Sequence, residues 1–516
     1  MERFFNTTGP CEPSRHYMLP AERRLPELGA LVRRDLYFVV HAARQTGKTT
    51  TMRSFAATLR AQGVVALHAT IETSQGATLA EAEPRWLEAI ARGARADLPI
   101  TDQPPEPRGA AAGERLAHWL EAWAMALAPR RLVLLLDEVD VVTGEAMVSL
   151  LRQLRSGFHL RPGRFPASIA LVGMRDLRDY LAAAKDGVPV NPGSPFNIKA
   201  ESLTLRNFTE AEVGELYAQH AADTGQAFEP AAVARAYYWS QGQPFLANKL
   251  GAICMDKLVT DRSVSITAAH VDEAKEQLVV SRVTHLDNLA RRLEEPRVAA
   301  IVSRVLVGAD DIDTASDDFD YCVDLGLLVR GRSGPTPANP IYREVLARQV
   351  SYRAQSNLPL PEAAWLRPDG TLDAPLLVDQ FLQWWRENSD FAVRNTPAGY
   401  HEATVHLAFM AFLQKVVNGG GQVHREFAAG TGRVDLCVEL AGHRTVIELK
   451  RVVPGLHSPE RVLREGQAQL SAYLDTMGVT EGWLIVFDLR PGLTWDERMW
   501  SREVDVGPRR LHLRGA

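Results

Sequence analysis

Residues 35–63, DLYFVVHAARQTGKTTTMRSFAATLRAQG, place an apolar run, a glycine-containing loop and a helical pattern in immediate succession. YFVVH reads as a strand, and the apolar residues after the loop recur at helical spacing. This order constrains the fold more than any other stretch, because a strand feeding directly into a helix opens a parallel α/β sheet. The loop is Ala42-Ala43-Arg44-Gln45-Thr46-Gly47-Lys48-Thr49, with Thr50 following. It meets the phosphate-loop pattern G-x-x-x-x-G-K-[ST] except at Ala42, where the first glycine is expected. Such a loop turns successive N–H groups toward an anion at a helix N-terminus. Gly47 permits close backbone approach, Lys48 reaches the β- and γ-phosphates, and the Thr49 hydroxyl can ligate Mg2+. Arg44 lies earlier in the segment and is expected to point outward. Ala42 to Thr50 is thus the candidate nucleotide-binding segment.

Three more runs fit the same architecture: VVALHATIE, RRLVLLLDEVD and SIALVGMRD. LVLLL is too uniformly apolar to face water on either side, as in a parallel sheet. Strands alternating with helical patterns predict a doubly wound α/β domain from about 30 to 200. Asp137 and Glu138 close the LVLLL strand. Asp137 is placed to hold Mg2+ and Glu138 to polarise an attacking water. Alone, such an acid pair could equally belong to a helix N-terminus; the phosphate loop decides between the readings. Arg175 and Asp176 follow the next strand, where they could sense a γ-phosphate or form an ordinary surface ion pair.

The rest of the chain divides by pattern. Residues 207–282 read as helices, with Thr209 and Glu212 spaced for a capping box. Residues 290–352 read as helices, a Gly-rich turn and short strands, suggesting a winged helix. SNLPLPEAAWLRPDGTLDAP is rich in proline and reads as a linker. The final domain opens with the helical pattern HEATVHLAFMAFLQKVVNGGG and continues into a hairpin.

A chain of 516 residues is too long for one core. Its net charge of −5 gives no global basic footprint, and residues 401–516 hold 14 Lys+Arg against 14 Asp+Glu. Any nucleic-acid contact must then use a local patch or a bound cation. Cys11, Cys254, Cys322 and Cys437 are far apart and form no pair at metal-ligand spacing. The N-terminus lacks the order of a signal peptide, and no apolar run approaches the ~20 residues of a membrane helix. A cytoplasmic protein with no membrane partner is expected.

The stretches FNTTGPCEPSRHYMLPAERR, HAARQTGKTT, LLLDEVD, GSPFNIKAESLTLRNFTEAEV, SQGQPFLANKL and LGLLVR…NPIYREV resemble the AAA-like ATPases of the archaeal-ATPase branch of the STAND NTPases, over residues 1–352. The resemblance implies ATP with Mg2+, His16 and Tyr17 near the nucleotide, and a switch that works through homo-oligomers. Its expected segments are a nucleotide-flanking segment 1–30, a P-loop NTPase core 31–204, a helical lid 205–288, a winged helix 289–355 and a linker 356–395.

The remainder, 396–516, contains GRVDLCVELAGHRTVIELKR. Residues two apart on a strand share a face, so Glu448 and Lys450 project together while Leu449 points to the core. Asp435 on the paired strand can reach the same face. Two carboxylates with the Leu449 carbonyl make an oxygen-lined site suited to Mg2+, and a metal-bound water can attack a phosphodiester. A plain strand face with a Glu–Lys pair is the bland alternative. Glu402 in the preceding helix, and Gln469 with Tyr473 at i, i+4 in the following one, complete a resemblance to the PD-(D/E)XK nuclease superfamily. That resemblance implies an α/β nuclease-like domain in which Glu402, Asp435 and Glu448 ligate metal and Lys450 is catalytic, with Gln469 and Tyr473 supporting the site. The whole chain therefore resembles bacterial proteins joining the two domains. It is expected to be an ATP-controlled nuclease acting on nucleic acid, DNA foremost, in prokaryotic defence, with a defence-system partner. The alternatives are a nucleotide-switched DNA-binding or regulatory protein with a non-cleaving nuclease fold, and a signalling ATPase whose last domain only binds a partner.

Overall fold

The computed structural model describes residues 3–107, 109–175, 199–280, 291–306, 312–331, 334–346, 371–394, 422–429, 432–440, 442–452, 458–488 and 492–516, with isolated positions such as Phe409 and Leu413. The chain forms two units: 1–283 with 320–330 and 338–341, and 284–319 with 331–337 and 342–516. The winged-helix segment expected at 289–355 is thus divided, because its 320–330 stretch packs with the first unit. The described parts of that segment include a helix, Asp317–Asp324, and two short strands, β6 (Leu328–Gly331) and β7 (Gly334–Pro337).

The first unit is built on strands β1 (Tyr37–His41), β2 (Val65–Thr70), β3 (Leu132–Asp137), β4 (Ser168–Gly173) and β5 (Lys199–Thr204), in the order β2-β3-β4-β1-β5. Every pairing is parallel. Alternate residues of the same strand feed two apolar layers. Leu134 and Leu136 pack with Trp86, Trp123 and Leu150 on one face. Val133 and Leu135 pack with Met52, Phe55 and Leu28 on the other. Helices α3 (Leu79–Asp97), α4 (Arg115–Leu127) and α5 (Gly144–Ser156) cover the first face, and α1 (Leu28–Arg33) and α2 (Lys48–Ala61) the second. Burying each such side chain contributes about 1.5–3 kcal/mol. This is why the uniform LVLLL run is obligatory in a strand covered on both faces.

The polar break before α4 has its own device. Glu83 of α3 is fully buried and accepts N–H bonds from Gly113, Arg115 and Leu116 at 2.9, 2.9 and 3.4 Å. A remote carboxylate thus caps α4, whose own preceding residue provides no side-chain cap.

The lid helices are Glu210–Thr224, Pro230–Ser240, Pro244–Ile253 and Ala268–Val280. The expected capping box forms: Glu212 N–H donates to Thr209 Oγ1 at 3.2 Å, and Thr209 N–H to Glu212 Oε2 at 2.8 Å. The helical run through SQGQPF is broken where Gln241 and Gly242 both take positive φ. Gly242 is required there, since a Cβ would lie 1.8 Å from the Phe208 carbonyl oxygen.

In the second unit, six strands lie in the order β12-β13-β11-β10-β9-β8. They are β8 (Gln422–Ala429), β9 (Gly432–Leu440), β10 (His443–Val452), β11 (Glu481–Asp488), β12 (Trp500–Val506) and β13 (Arg509–Gly515). β8, β9 and β10 form an antiparallel meander, then β10, β11 and β13 run parallel. The helix Pro459–Met477 joins β10 to β11, packing Val462, Leu470 and Leu474 on Val446, Val452, Leu484 and Val486. The opposite face carries Ile447, Leu449, Ile485 and Phe487.

That face is covered by a helix, Ala374–Arg394, within the stretch expected to be linker. Leu377, Val378, Phe381, Leu382, Trp384 and Trp385 form its buried stripe. The linker reading of 356–395 is corrected here: a helix with an apolar stripe starts at Ala374, and Pro375 is tolerated in its first turn. The helical pattern expected at 401–421 lies outside the described residues, save Phe409 and Leu413, which are buried in this layer.

Candidate functional site

The C-terminal ends of β1 and β3 bring the sequence-predicted groups together. Gly47, with φ +87°, precedes α2 in the left-handed conformation, and Gln45 also has positive φ. Lys48 opens the helix and is 7% exposed. Its Nζ donates to the carbonyls of Ala42 and Ala43 at 2.8 and 3.0 Å, so the ammonium sits across the loop mouth. Burial lowers its pKa, opposed by the charges of Glu138, Asp137 and Asp140.

Thr49 Oγ1 donates to Asp137 Oδ2 at 2.7 Å, joining the two expected Mg2+-binding groups across 88 residues of sequence. Glu138 N–H donates to Asp137 Oδ1 at 2.9 Å. Burial pushes the Asp137 carboxyl up, but the hydrogen bonds from His68 and Thr49 hold it below the ordinary range. Burial raises the neighbouring Glu138 carboxyl, reinforced by Asp140 and Asp137. Glu138 has φ +58°, an uncommon conformation that turns the chain sharply at the strand end. A cavity of 380 Å3 adjoins these groups, bordered by Thr49, Arg53, His68, Asp97, Asp137 and Glu138.

Several more residues meet here that sequence reasoning assigned no role: Arg24, Cys11 and Gln243 lie inside the stretches that carry the ATPase resemblance, and His68 lies outside them. Arg24 is buried and donates to the Thr46 carbonyl at 2.7 Å, to Arg206 O at 3.1 Å and to Thr51 Oγ1 at 3.3 Å. Burial lowers its pKa to about 10. It ties the phosphate loop to the start of the lid. Gln243, at the lid turn, donates to Gln45 O at 3.3 Å. Cys11 N–H donates to Thr50 Oγ1 at 3.1 Å, laying the N-terminal segment along the loop. His68 on β2 meets Asp137 Oδ2 at 3.1 Å. The one available signal was position, two residues before the end of a strand parallel to the Asp137 strand.

His16 and Tyr17 are both buried. His16 Nδ1 accepts the Glu12 N–H at 2.8 Å, and the Tyr17 hydroxyl meets His220 of the lid at 3.2 Å. Their rings anchor the N-terminal segment, and the backbone of that segment is what lies beside Thr50. Arg175 donates from Nε to Asp324 Oδ2 at 3.1 Å, and its guanidinium lies 4.6 Å from the Tyr321 ring centre. Asp176 lies outside the described residues. Gly326, with φ +74°, approaches the loop itself, since a Cβ there would meet Ala43 Cβ at 2.4 Å.

In the second unit, Glu448 is 2% exposed and Lys450 Nζ donates to its Oε1 at 2.8 Å. Leu449 is buried in the opposite layer, as the strand period requires. β9 and β10 pair antiparallel from His443↔Leu440 to Ile447↔Leu436, the pair next to Glu448 and Asp435 in the chain. Gly466 lets the helix Pro459–Met477 cross directly over the pair: a Cβ there would lie 3.2 Å from Lys450 Cγ. Gln469 is exposed, and Tyr473 packs against the apolar layer of that helix. Glu402 lies outside the described residues. No group of three or more His, Cys, Asp or Glu is arranged for a metal among the described residues. Likewise, no helix among them is long and apolar enough to cross a membrane.

Residues 32–181 match the family model of the AAA domain. A Walker-type ATPase of Pyrococcus abyssi is similar over 66% of this chain and 99% of its own, at 14% identity and a TM-score of 0.47. The RuvB Holliday junction branch migration motor of Thermotoga maritima is similar over 63% and 92%, at 17% identity and 0.35. A chain of Drosophila ORC bound to DNA is similar over 68% and 95%, at 15% identity and 0.35. No curated protein matches the chain. The first unit thus carries an AAA domain on a P-loop NTPase-like parallel sheet of five strands.

Proposed function

We propose that the chain is an ATP-binding and ATP-hydrolysing switch that controls a nuclease-like second unit acting on nucleic acid. The observation that carries the first half is the convergence of Lys48, Thr49, Asp137 and Glu138 at one strand edge. The donor set fits Mg2+: a hydroxyl and an ionised, buried carboxylate are hard oxygen ligands already in contact. Thr49 and Asp137 would hold the cation, which when bound would neutralise phosphate charge.

The protein's own groups divide the remaining work. N–H groups around Gly47 cradle the β-phosphate, and Lys48 exchanges its loop carbonyls for phosphate oxygens. Glu138 orients a water and takes its proton as the water oxygen bonds to the γ-phosphorus. The bond from that phosphorus to the bridging oxygen breaks, leaving ADP and phosphate. The raised Glu138 carboxyl suits a base, because a stronger base draws the proton more readily. The test is titration of the full chain with ATP and Mg2+, then assay of phosphate release. A protein that binds no ATP sinks this reading.

For the second unit, Glu448 and Lys450 on one strand face, with Asp435 on the neighbouring antiparallel strand, favour the PD-(D/E)XK reading. The antiparallel meander followed by a helix and a parallel strand is a compatible frame. Exposure of Gln469 favours the alternative, a nuclease-like fold that binds without cleaving. Incubation with a panel of DNA and RNA substrates and Mg2+, with and without ATP, separates the two. The DNA target, homo-oligomer, defence role and partner rest on the family resemblance.

A further inference from the structure

We propose that His68 is a positioning residue for Asp137, holding its carboxylate in the orientation that captures Mg2+ with ATP; this deepens, and rests on, the nucleotide-site reading above. β2 and β3 are parallel neighbours, with Thr70 opposite Asp137 and His68 opposite Leu135. From there the ring reaches along the strand edge, and its Nε2 lies 3.1 Å from Asp137 Oδ2. An ionised carboxylate only accepts, so the imidazole must carry its proton on Nε2 in this bond.

The full partner set of Asp137 shows what the bond does. Oδ2 accepts from both Thr49 Oγ1 and His68 Nε2, while Oδ1 accepts the Glu138 N–H. Three donors from three strand or helix ends fix the carboxylate plane. The Thr49 hydroxyl spends its proton on Oδ2, which leaves its lone pairs for a cation. His68 supplies the other donor to that oxygen and keeps the carboxylate from rotating away from Thr49. The histidine is itself held: its side chain is 10% exposed. Its backbone is packed against α3, where a Cβ on Gly93 would lie 3.3 Å from the His68 carbonyl oxygen. Groups that orient metal ligands in this way typically change metal affinity by about 10–100-fold when removed.

The test compares the parent with His68→Leu, His68→Asn and His68→Gln. ATP binding is measured by calorimetry in EDTA and across a Mg2+ titration, after circular dichroism has confirmed folding. His68→Leu is expected to move the Mg2+ midpoint about 10–100-fold upward while leaving affinity in EDTA unchanged. His68→Asn, whose amide is too short to reach Oδ2, should shift likewise. His68→Gln keeps a donor at similar reach and should stay near the parent. A parental midpoint in the Leu or Asn variant overturns the inference. So does an equal loss of affinity in EDTA, which marks a merely structural role. If His68→Leu does not fold, the Asn and Gln pair decides by the same criteria. A parent whose ATP affinity ignores Mg2+, or that binds no ATP, overturns the nucleotide reading as well.

Discussion

Lys48 sits where its charge has two possible sets of partners, the loop carbonyls at 2.8 and 3.0 Å or the phosphates of a nucleotide. Hydrogen bonds to charged groups contribute about 1.5–3 kcal/mol, so Lys48→Ala should weaken ATP binding about 10–100-fold. Calorimetric titration reads this directly, and near-parental affinity would remove Lys48 from the site. Glu138→Gln keeps the shape and loses the base. ATP should still bind, while single-turnover hydrolysis slows by about 10²–10⁴-fold. In the second unit, Glu448→Ala and Lys450→Ala should each abolish cleavage, with different responses to metal. If Glu448 holds the metal, as proposed, excess Mg2+ should partly restore the Glu448 variant but not the Lys450 variant. Cleavage measured across a Mg2+ titration separates this pattern from an ion pair whose loss changes only stability. Lys48, Thr49, Asp137 and Glu138 were legible because their motifs are local and chemically constrained. Arg24 and His68 were not, because their partners lie 22 to 182 and 69 residues away along the chain.

Helices and strands carry a second kind of dependence, in which one side chain serves two elements. Glu212 completes the cap of the first lid helix and also grips Arg206 at 2.6 and 2.9 Å, just after β5. Arg206 is the main reason its carboxyl falls to about 2, with the Thr209 N–H adding to it. A depressed carboxyl stabilises the fold above its unfolded value near 4.5, and the gain is lost as pH falls through 2. Glu212→Gln should therefore cost about 1.5–3 kcal/mol at neutral pH, and the difference from parent should shrink between pH 4.5 and 2. Thermal unfolding of both proteins across that range checks the sign. The capping box was visible in the sequence because its spacing is fixed by helix geometry. The helix Ala374–Arg394 is masked in the sequence by Pro359, Pro361, Pro368 and its own Pro375, although Leu377, Phe381 and Trp385 recur at helical spacing.

Across the first unit, the segment 320–330 packs on the phosphate loop and on the end of β4. Asp324 holds Arg175, the residue expected to sense a γ-phosphate. Burial raises the Asp324 carboxyl, and the Arg175 hydrogen bond partly offsets this. Asp324→Asn should loosen the hold and leave Arg175 free to meet a γ-phosphate. ATP affinity is then expected to rise several-fold relative to ADP, in keeping with the ~1.5–3 kcal/mol of one charged hydrogen bond. Competitive titration of the two nucleotides measures the ratio, and an unchanged ratio removes Asp324 from nucleotide sensing.

The amino-acid pattern by itself determined the parallel α/β core, the phosphate loop, the acids at the end of β3 and the face shared by Glu448 and Lys450. Each follows from short-range rules: strand period, helix period and the backbone freedom of Gly47. Tertiary structure alone decided that His68 would share an oxygen with Thr49 and that Arg24 would lie beneath the loop. It also decided that Glu83 would cap a helix 32 residues away and that Asp324 would capture Arg175. Those contacts arise where separate elements meet, and the spacing of residues along one chain does not encode the distance between two of its folded surfaces.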